Sequence, residues 1–403
     1  MAWLGWNGRR TVHASAVPRN PRSDIARAAL AGTAALVLLA GCDSSSSPSP
    51  AGSTSDRSSS ASGSASSSAS GSAPGSSSSA GSATPSASSE PPGVVRLGFA
   101  GDVHFMERTA ARLAADPATA FGPAATALSA PDLTMVNLET SISVGGTPEN
   151  KTFTFQAPPS AFTALQAAGI DLVTMANNHA ADYGSAGLAQ TLAAIKRSGF
   201  PVVGIGANAN AAYAPYYTEI NGVRLAFVAA SQVQEETLAH FSATSTSPGV
   251  ANAYSERLIA AVRAAKKRAD AVIVYLHWGT EYVHCPNGDQ YSLADKLSAA
   301  GATAVLGTHA HGLQGAGWRP DGTYVSFGLG NYFWWLSFGD QRDDSGTLTL
   351  TLTRNRVTAA AFAPARLDER GIPVPATGAT ARRIRSDFEE FRSCAGLLAT
   401  PPR

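Results

Sequence analysis

From Val94 to about Arg366 the chain alternates short apolar runs with longer Ala- and Leu-rich stretches of helical period. The runs VVRLGFA, LTMVN, IDLVTMA and AVIVYL are rich in β-branched and other apolar residues and read as strands. Strands are predicted at 94–100, 132–138, 170–176, 201–205, 223–230, 271–277 and 303–307. Helices are predicted between them at 108–115, 159–168, 185–198, 252–268 and 290–300, with Ser160, Ser185 and Ser255 as candidate caps. Beyond His311 the texture changes. Residues 323–329, 346–353 and 356–363 read as antiparallel strands, with Asp344-Ser345-Gly346 and Arg354-Asn355-Arg356 as turns. Residues 378–393 read as a terminal helix with Arg382, Arg383 and Arg385 on a solvated face. Alternating βα units followed by strands predict an α/β (α+β) domain of two stacked sheets flanked by helices over 94–366, then a 367–403 tail carrying a helix.

The N-terminal part has a different character. Residues 1–41 read as an export signal, with Arg9, Arg10, Arg19, Arg22 and Arg27 ahead of the apolar Ala28–Ala40 segment. That segment is too short for a stable membrane span. It ends in Leu39-Ala40-Gly41-Cys42, which resembles the bacterial lipobox, so Cys42 is the expected lipidation site. A plain secretory signal or an uncleaved anchor is the alternative. Residues 42–93 are dominated by serine with Gly, Ala and Pro and hold almost no apolar side chain. Such a segment cannot offset its chain entropy by burial, and it is expected to be a disordered tether with a reach of roughly 40 Å. The expected location is the extracytoplasmic face of a bacterial cell membrane, held there by lipid.

A net charge of +1 and 15% charged residues leave no basic footprint, so nucleic acid is not an expected partner. Of three cysteines, Cys42 is claimed by the lipobox. Export makes a Cys285–Cys394 disulfide the expectation, and two free thiols the alternative.

Five of the eight histidines fall in GDVHF (101–105), NNHAADYG (177–184), HWGTEY (277–282) and GTHAHG (307–312), and NLET (137–140) adds a carboxylate. Each segment follows an apolar run, which is how an α/β sheet gathers a site at its strand ends. His, Asp, Glu and Asn without thiolate suit manganese, iron or zinc. His240 and His284, in loop-like stretches, read as surface residues without partners.

In this order, GDVHF, NLET, ANNHAADYG, HWGTEY, GTHAHGLQG and SFGLGNYFW resemble the CapA family, the bacterial capsule (poly-γ-glutamate) synthesis proteins. The resemblance implies the four-layer αββα sandwich of calcineurin-like metallophosphoesterases and two divalent metal ions. It implies Asp102, His104, Glu139 and His311 on one ion, and Glu139, Asn178, His277 and His309 on the other. Such ions lie about 3.5–4 Å apart in hydrolases of this kind. His309 and His311 are expected on an extended segment with both rings on one side. His179 is implied as the acid at the leaving group, or else as a structural hydrogen-bonding residue. Asp182 either orients His179 or caps a helix. Glu281 and Tyr282 line the cleft or pack beside it, and Asn331, in the Gly-rich turn GLGN, either serves that turn or supports a ligand. Asn137-Leu138-Glu139 departs from the superfamily's Gly-Asp-x-x-Asp by a longer carboxylate.

The implied partners are an envelope polymer such as poly-γ-glutamate or a phosphorylated precursor, and a membrane ligase or export complex. The expectation is a lipid-anchored, metal-dependent hydrolase. A non-catalytic accessory subunit and a general exported phosphoesterase are the alternatives.

Overall fold

The computed structural model describes residues 91–403; the export segment, Cys42 and all but the end of the 42–93 linker lie outside them. β1 (Val94–Val103) is followed by α1 (Glu107–Ala115), β2 (Leu133–Leu138), α2 (Ser160–Ala167), β3 (Leu172–Thr174), α3 (Gly184–Ser198) and β4 (Val202–Val203). Next come β5 (Tyr216–Ile220), β6 (Val223–Ser231), α4 (Glu256–Lys266), β7 (Ala271–Trp278), α5 (Gly288–Ala300), β8 (Ala304–His309), β9 (Ala316–Trp318) and β10 (Tyr324–Ser326). The chain ends with β11 (Asn331–Phe333), β12 (Asp344–Thr353), β13 (Arg356–Leu367), β14 (Pro373–Pro375) and α6 (Gly378–Cys394).

These strands make an eight-stranded sheet, ordered β14-β13-β12-β1-β2-β3-β4 with β11 also on β1, and a six-stranded sheet ordered β9-β10-β8-β7-β6-β5. β1–β2–β3–β4 are parallel, as are β6, β7, β8 and β10. The apolar runs therefore lie at the centres of two sheets, which is why both of their faces are hydrophobic.

Alternation along each run assigns its residues to separate layers. Leu97 and Phe99 of β1, Met135 of β2 and Leu350 of β12 face Leu225, Phe227, Ile273, Tyr275 and Leu306 of the other sheet. The outward residues of the first sheet, among them Val136, Leu138 and Val173, meet Leu113 of α1, Phe162 and Leu165 of α2 and Leu188 of α3. Those of the second, Val272, Val274, Leu276 and Val305, meet Leu258 and Val262 of α4 and Leu293 and Leu297 of α5. This is a four-layer αββα sandwich.

Several details differ from the sequence reading. Ser255 does cap its helix, accepting from the Arg257 amide, whereas Pro159 and Tyr183 hold the positions expected for capping by Ser160 and Ser185. Asp344-Ser345-Gly346 is not a turn but the start of β12, paired with Arg366, Ala365 and Pro364. Strand 323–329 ends at Ser326, and it is parallel to β8 as well as antiparallel to β9. Residues 367–403 pack into the sandwich: β14 extends the first sheet, and Ile384 and Phe388 of α6 join the core between the sheets. Cys394 at the end of α6 is disulfide-bonded to Cys285, with Cα atoms 5.8 Å apart.

Candidate metal centre

The predicted site segments converge where the parallel strands of both sheets end. Asp102 is near the end of β1, Glu139 follows β2 and Asn178-His179 follow β3; His277 is the penultimate residue of β7 and His309 ends β8. The register sets Asp102 beside Asn137 of β2 and Asn331 of β11. Gly101 permits that approach, because a Cβ there would meet the Gly330 carbonyl oxygen at 1.8 Å.

All of the implied ligands are buried. Asp102 Oδ1 accepts from Asn137 Nδ2 at 2.8 Å, and its Oδ2 lies 3.4 Å from His311 Nδ1. His277 Nε2 is 2.8 Å from Asn178 Oδ1 and 3.4 Å from Glu139 Oε1, while its Nδ1 is 3.1 Å from Thr308 Oγ1. Asn178 Nδ2 donates to Glu235 at 2.9 Å, which turns its carbonyl oxygen toward His277. Asn331 Oδ1 accepts from His311 Nδ1 at 2.9 Å, leaving Nε2 of that ring open.

Donor atoms of Glu139, His309 and His311 lie within 4.8 Å of one another, and so do those of Asp102, Glu139 and His277. Glu139 is common to both groups. His309 and His311 fall in one of these groups, and Asp102 and His277 in the other. His104 enters neither group. Its Nε2 accepts from the Trp335 amide at 3.2 Å, and its ring lies on Trp334, with centroids 4.1 Å apart, and edge-on to Phe155.

His309 and His311 are not on an extended segment. Their φ angles are +90° and +50°, so a left-handed backbone, rather than strand alternation, brings the rings to 5.8 Å. Non-glycine residues in this region cost about 1–3 kcal/mol each and persist where surrounding structure fixes them. Here the His309 amide points at Asp102 Oδ2 (3.3 Å), and the Ala310 carbonyl accepts from Tyr282 N at 2.7 Å.

Burial pushes the Asp102 carboxyl up, but His311, His277 and Asn137 outweigh it and leave the pKa at about 2. Burial, then the Asp102 charge, drives Glu139 well above the carboxylate range. Burial also lowers His104, His179 and His309 well below the usual imidazole range and His277 to about 4, so all four are neutral rings. Burial lowers His311 as well, but the Asp102 hydrogen bond and the Glu139 charge outweigh it and raise the pKa to about 9. Of the buried side-chain polar atoms among the described residues, six have no hydrogen-bond partner. Four of them are both oxygens of Glu139 and Nδ1 of His104 and His309. Native proteins rarely leave such atoms unpaired, and lone pairs gathered this way fit divalent metal.

His179 Nδ1 lies 2.6 Å from Asp182 Oδ2, and its Nε2 lies 3.9 Å from Glu139 Oε1. Asp182 therefore orients His179; the α3 N-terminus has no side-chain cap. Tyr282, half exposed with φ +62°, stands over His311 at 6.1 Å between centroids. Glu281 beside it is exposed. From Tyr282 an open groove of about 820 Å³ runs past Arg342 and Arg366 to Arg383. His240 is on the surface, but His284 has partners: its Nδ1 lies 2.9 Å from the Leu313 carbonyl and its ring stacks on Phe391. Sequence reasoning missed Asn177, Lys151 and Glu235. Asn177 adjoins a predicted ligand and was findable. Lys151 and Glu235 lie in loops with no local pattern.

A four-layer α/β sandwich with a buried His/Asp/Glu/Asn cluster at its strand ends defines the class. Residues 96–334 match the family described as "Bacterial capsule synthesis protein PGA_cap", and the chain belongs to that family. It is 32% identical over 201 residues to the "PGA biosynthesis protein CapA" of Bacillus subtilis, covering 49% of this chain and 51% of that protein. It is 30% identical over 234 residues to the "Capsule biosynthesis protein CapA" of Bacillus anthracis, covering 57% and 56%. The chain thus spans about half the length of the curated relatives it matches. Among solved structures, a phosphatase from Mycoplasma pneumoniae superposes with a TM-score of 0.44 at 14% identity, over 68% of this chain and 94% of that one.

Proposed function

We propose that the protein is a metal-dependent hydrolase of the bacterial envelope that cuts an anionic polymer of the poly-γ-glutamate type, or a phosphorylated precursor of it. The observation that carries this reading is Glu139, whose two unpartnered oxygens are shared between two donor groups. Asp102, His104, Asn178, His277, His309 and His311 would hold two divalent ions about it. When bound, such ions supply Lewis-acid polarisation and a nucleophilic oxygen at neutral pH.

The chain's own residues do the rest. The rigid strand ends orient the reacting bond. His179, with its Nδ1–H on Asp182, presents a bare Nε2, which takes a proton from the attacking water and passes it to the departing oxygen as that bond breaks. The exposed ring of Tyr282 lines a groove that suits an extended chain better than a small ester. In this proposal Cys42 anchors the mature protein to the outer face of the membrane by lipid, and the Ser-rich segment is its tether.

The test is metal analysis of the purified protein, followed by a turnover screen on phosphodiesters and γ-glutamyl polymer. Two ions with turnover is the expected result. A protein holding only trace metal after reconstitution would refute the reading. Two ions without turnover would favour an accessory subunit, which the "biosynthesis" in the relatives' names also suits. For the anchor, Cys42→Ala should release the protein from the membrane fraction.

A further inference from the structure

Lys151 is a lysine that the fold has nearly removed from solvent, its side chain only 6% exposed. It lies on the strap between two short paired strands, Ser141–Ile142 and Gln156–Ala157. Its ammonium is 2.9 Å from Asp182 Oδ1, 2.5 Å from the Asn178 carbonyl oxygen and 3.8 Å from Glu235 Oε2. Burying an ammonium is costly unless it is paired and hydrogen-bonded. Anchoring a strap needs no charge, since an apolar side chain would do it without that cost.

The same strap acts on the neighbouring pair through Phe155. Its amide donates to Asp182 Oδ2 at 2.7 Å, and its ring stacks on His179 with centroids 4.1 Å apart. Burial raises the Asp182 carboxyl to about 7 against the pull of Lys151 and the Phe155 amide, yet both its oxygens face donors: Lys151 on Oδ1, the Phe155 amide and His179 Nδ1 on Oδ2. A carboxylate fixed as an acceptor requires a proton on Nδ1 of its imidazole partner, leaving Nε2 as the free position on the ring. Nε2 is the atom that faces Glu139.

We propose that Lys151 is a positioning residue of the site: its charge fixes Asp182 as an acceptor, which selects the Nδ1–H form of His179 and aims Nε2 at the reacting centre. By holding the Asn178 carbonyl as well, it sets the backbone between a candidate ligand and the candidate acid. The inference rests on the reading of His179 as the leaving-group acid. Its first test uses metal-free protein and needs no turnover.

That test is selective ¹⁵N labelling of histidine in the full chain, with His179 assigned through His179→Gln and its tautomer read from the ring-nitrogen shifts. Wild type should carry its proton on Nδ1. Lys151→Met should give a mixture or the opposite form, and Lys151→Arg should retain the wild-type form. After zinc loading, Lys151→Met should bind as much metal as wild type but lose roughly ten- to a hundredfold in kcat at similar KM, the scale for losing a group that orients another. If Lys151→Met does not fold, Lys151→Gln takes its place, with the same loss expected because a neutral amide cannot replace the charge. An unchanged His179 tautomer in whichever of these variants folds overturns the proposal, whatever the melting temperature does. A shifted tautomer, with no turnover even in wild type, would sustain the positioning role and sink the reading of His179 as an acid.

Discussion

Glu139 holds two buried oxygens that no donor satisfies, beside an Asp102 that is already ionised. A carboxylate in that position is unfavourable to the empty protein and useful only to a cation. Glu139→Gln keeps the shape and cannot ionise in the buried site, so the metal-free variant should melt at the wild-type temperature or above it. Elemental analysis should show the loss of both ions, since both groups share this residue. Retention of two ions would refute the shared role. Two histidines separate binding from chemistry. His179→Ala should leave metal content unchanged and reduce turnover about a hundredfold or more, the usual scale for a lost general acid. His309→Ala should lower occupancy and abolish turnover with it.

At the scale of elements, the site depends on how closely strands approach. Gly101→Ala would drive a methyl into the Gly330 carbonyl, displacing the turn that delivers Asn331 to His311. The strain of overpacking is about 1–3 kcal/mol, to be read in a denaturant melt, and metal affinity should fall with it. The Cys285–Cys394 disulfide ties α6 to the segment after β7 across a sequence separation of 109. By the chain-entropy argument Cys285→Ser should cost up to about 4–5 kcal/mol, and metal content should be unchanged, because neither cysteine touches the cluster. The central strands and the motifs at their ends were legible because apolar runs and polar punctuation are local signals. β5, β9, β11 and β14 went unread: β5 carries half-buried or exposed side chains, β9 and β11 are only three residues long, and β14 has a proline at each end. The left-handed turns at His309 and His311 have no sequence mark, since neither is glycine. The Lys151–Asp182 pair joins residues 31 apart, and no periodicity announces such a contact.

For the whole molecule, the decisive feature is that the candidate ligands come from both sheets. Asp102, Glu139 and Asn178 extend from the first, and His277, His309 and His311 from the second. Bound ions would therefore cross-link the two layers at one edge, while the apolar core joins them everywhere else. A ligand at about a hundred times its dissociation constant stabilises the native state by about 2.7 kcal/mol. Chelation should accordingly lower the melting temperature by several degrees, reversibly on adding metal back. Hydrogen exchange locates the effect. Amides of 177–182 and 307–312 should exchange faster in the chelated protein, because the ions no longer hold those segments together. Those in the middle of β1, β6 and β7 should not change, as core packing alone protects them. A uniform rise in exchange would mean that the metal supports the fold as a whole. No change at 307–312 would mean that the histidines there are not ligands.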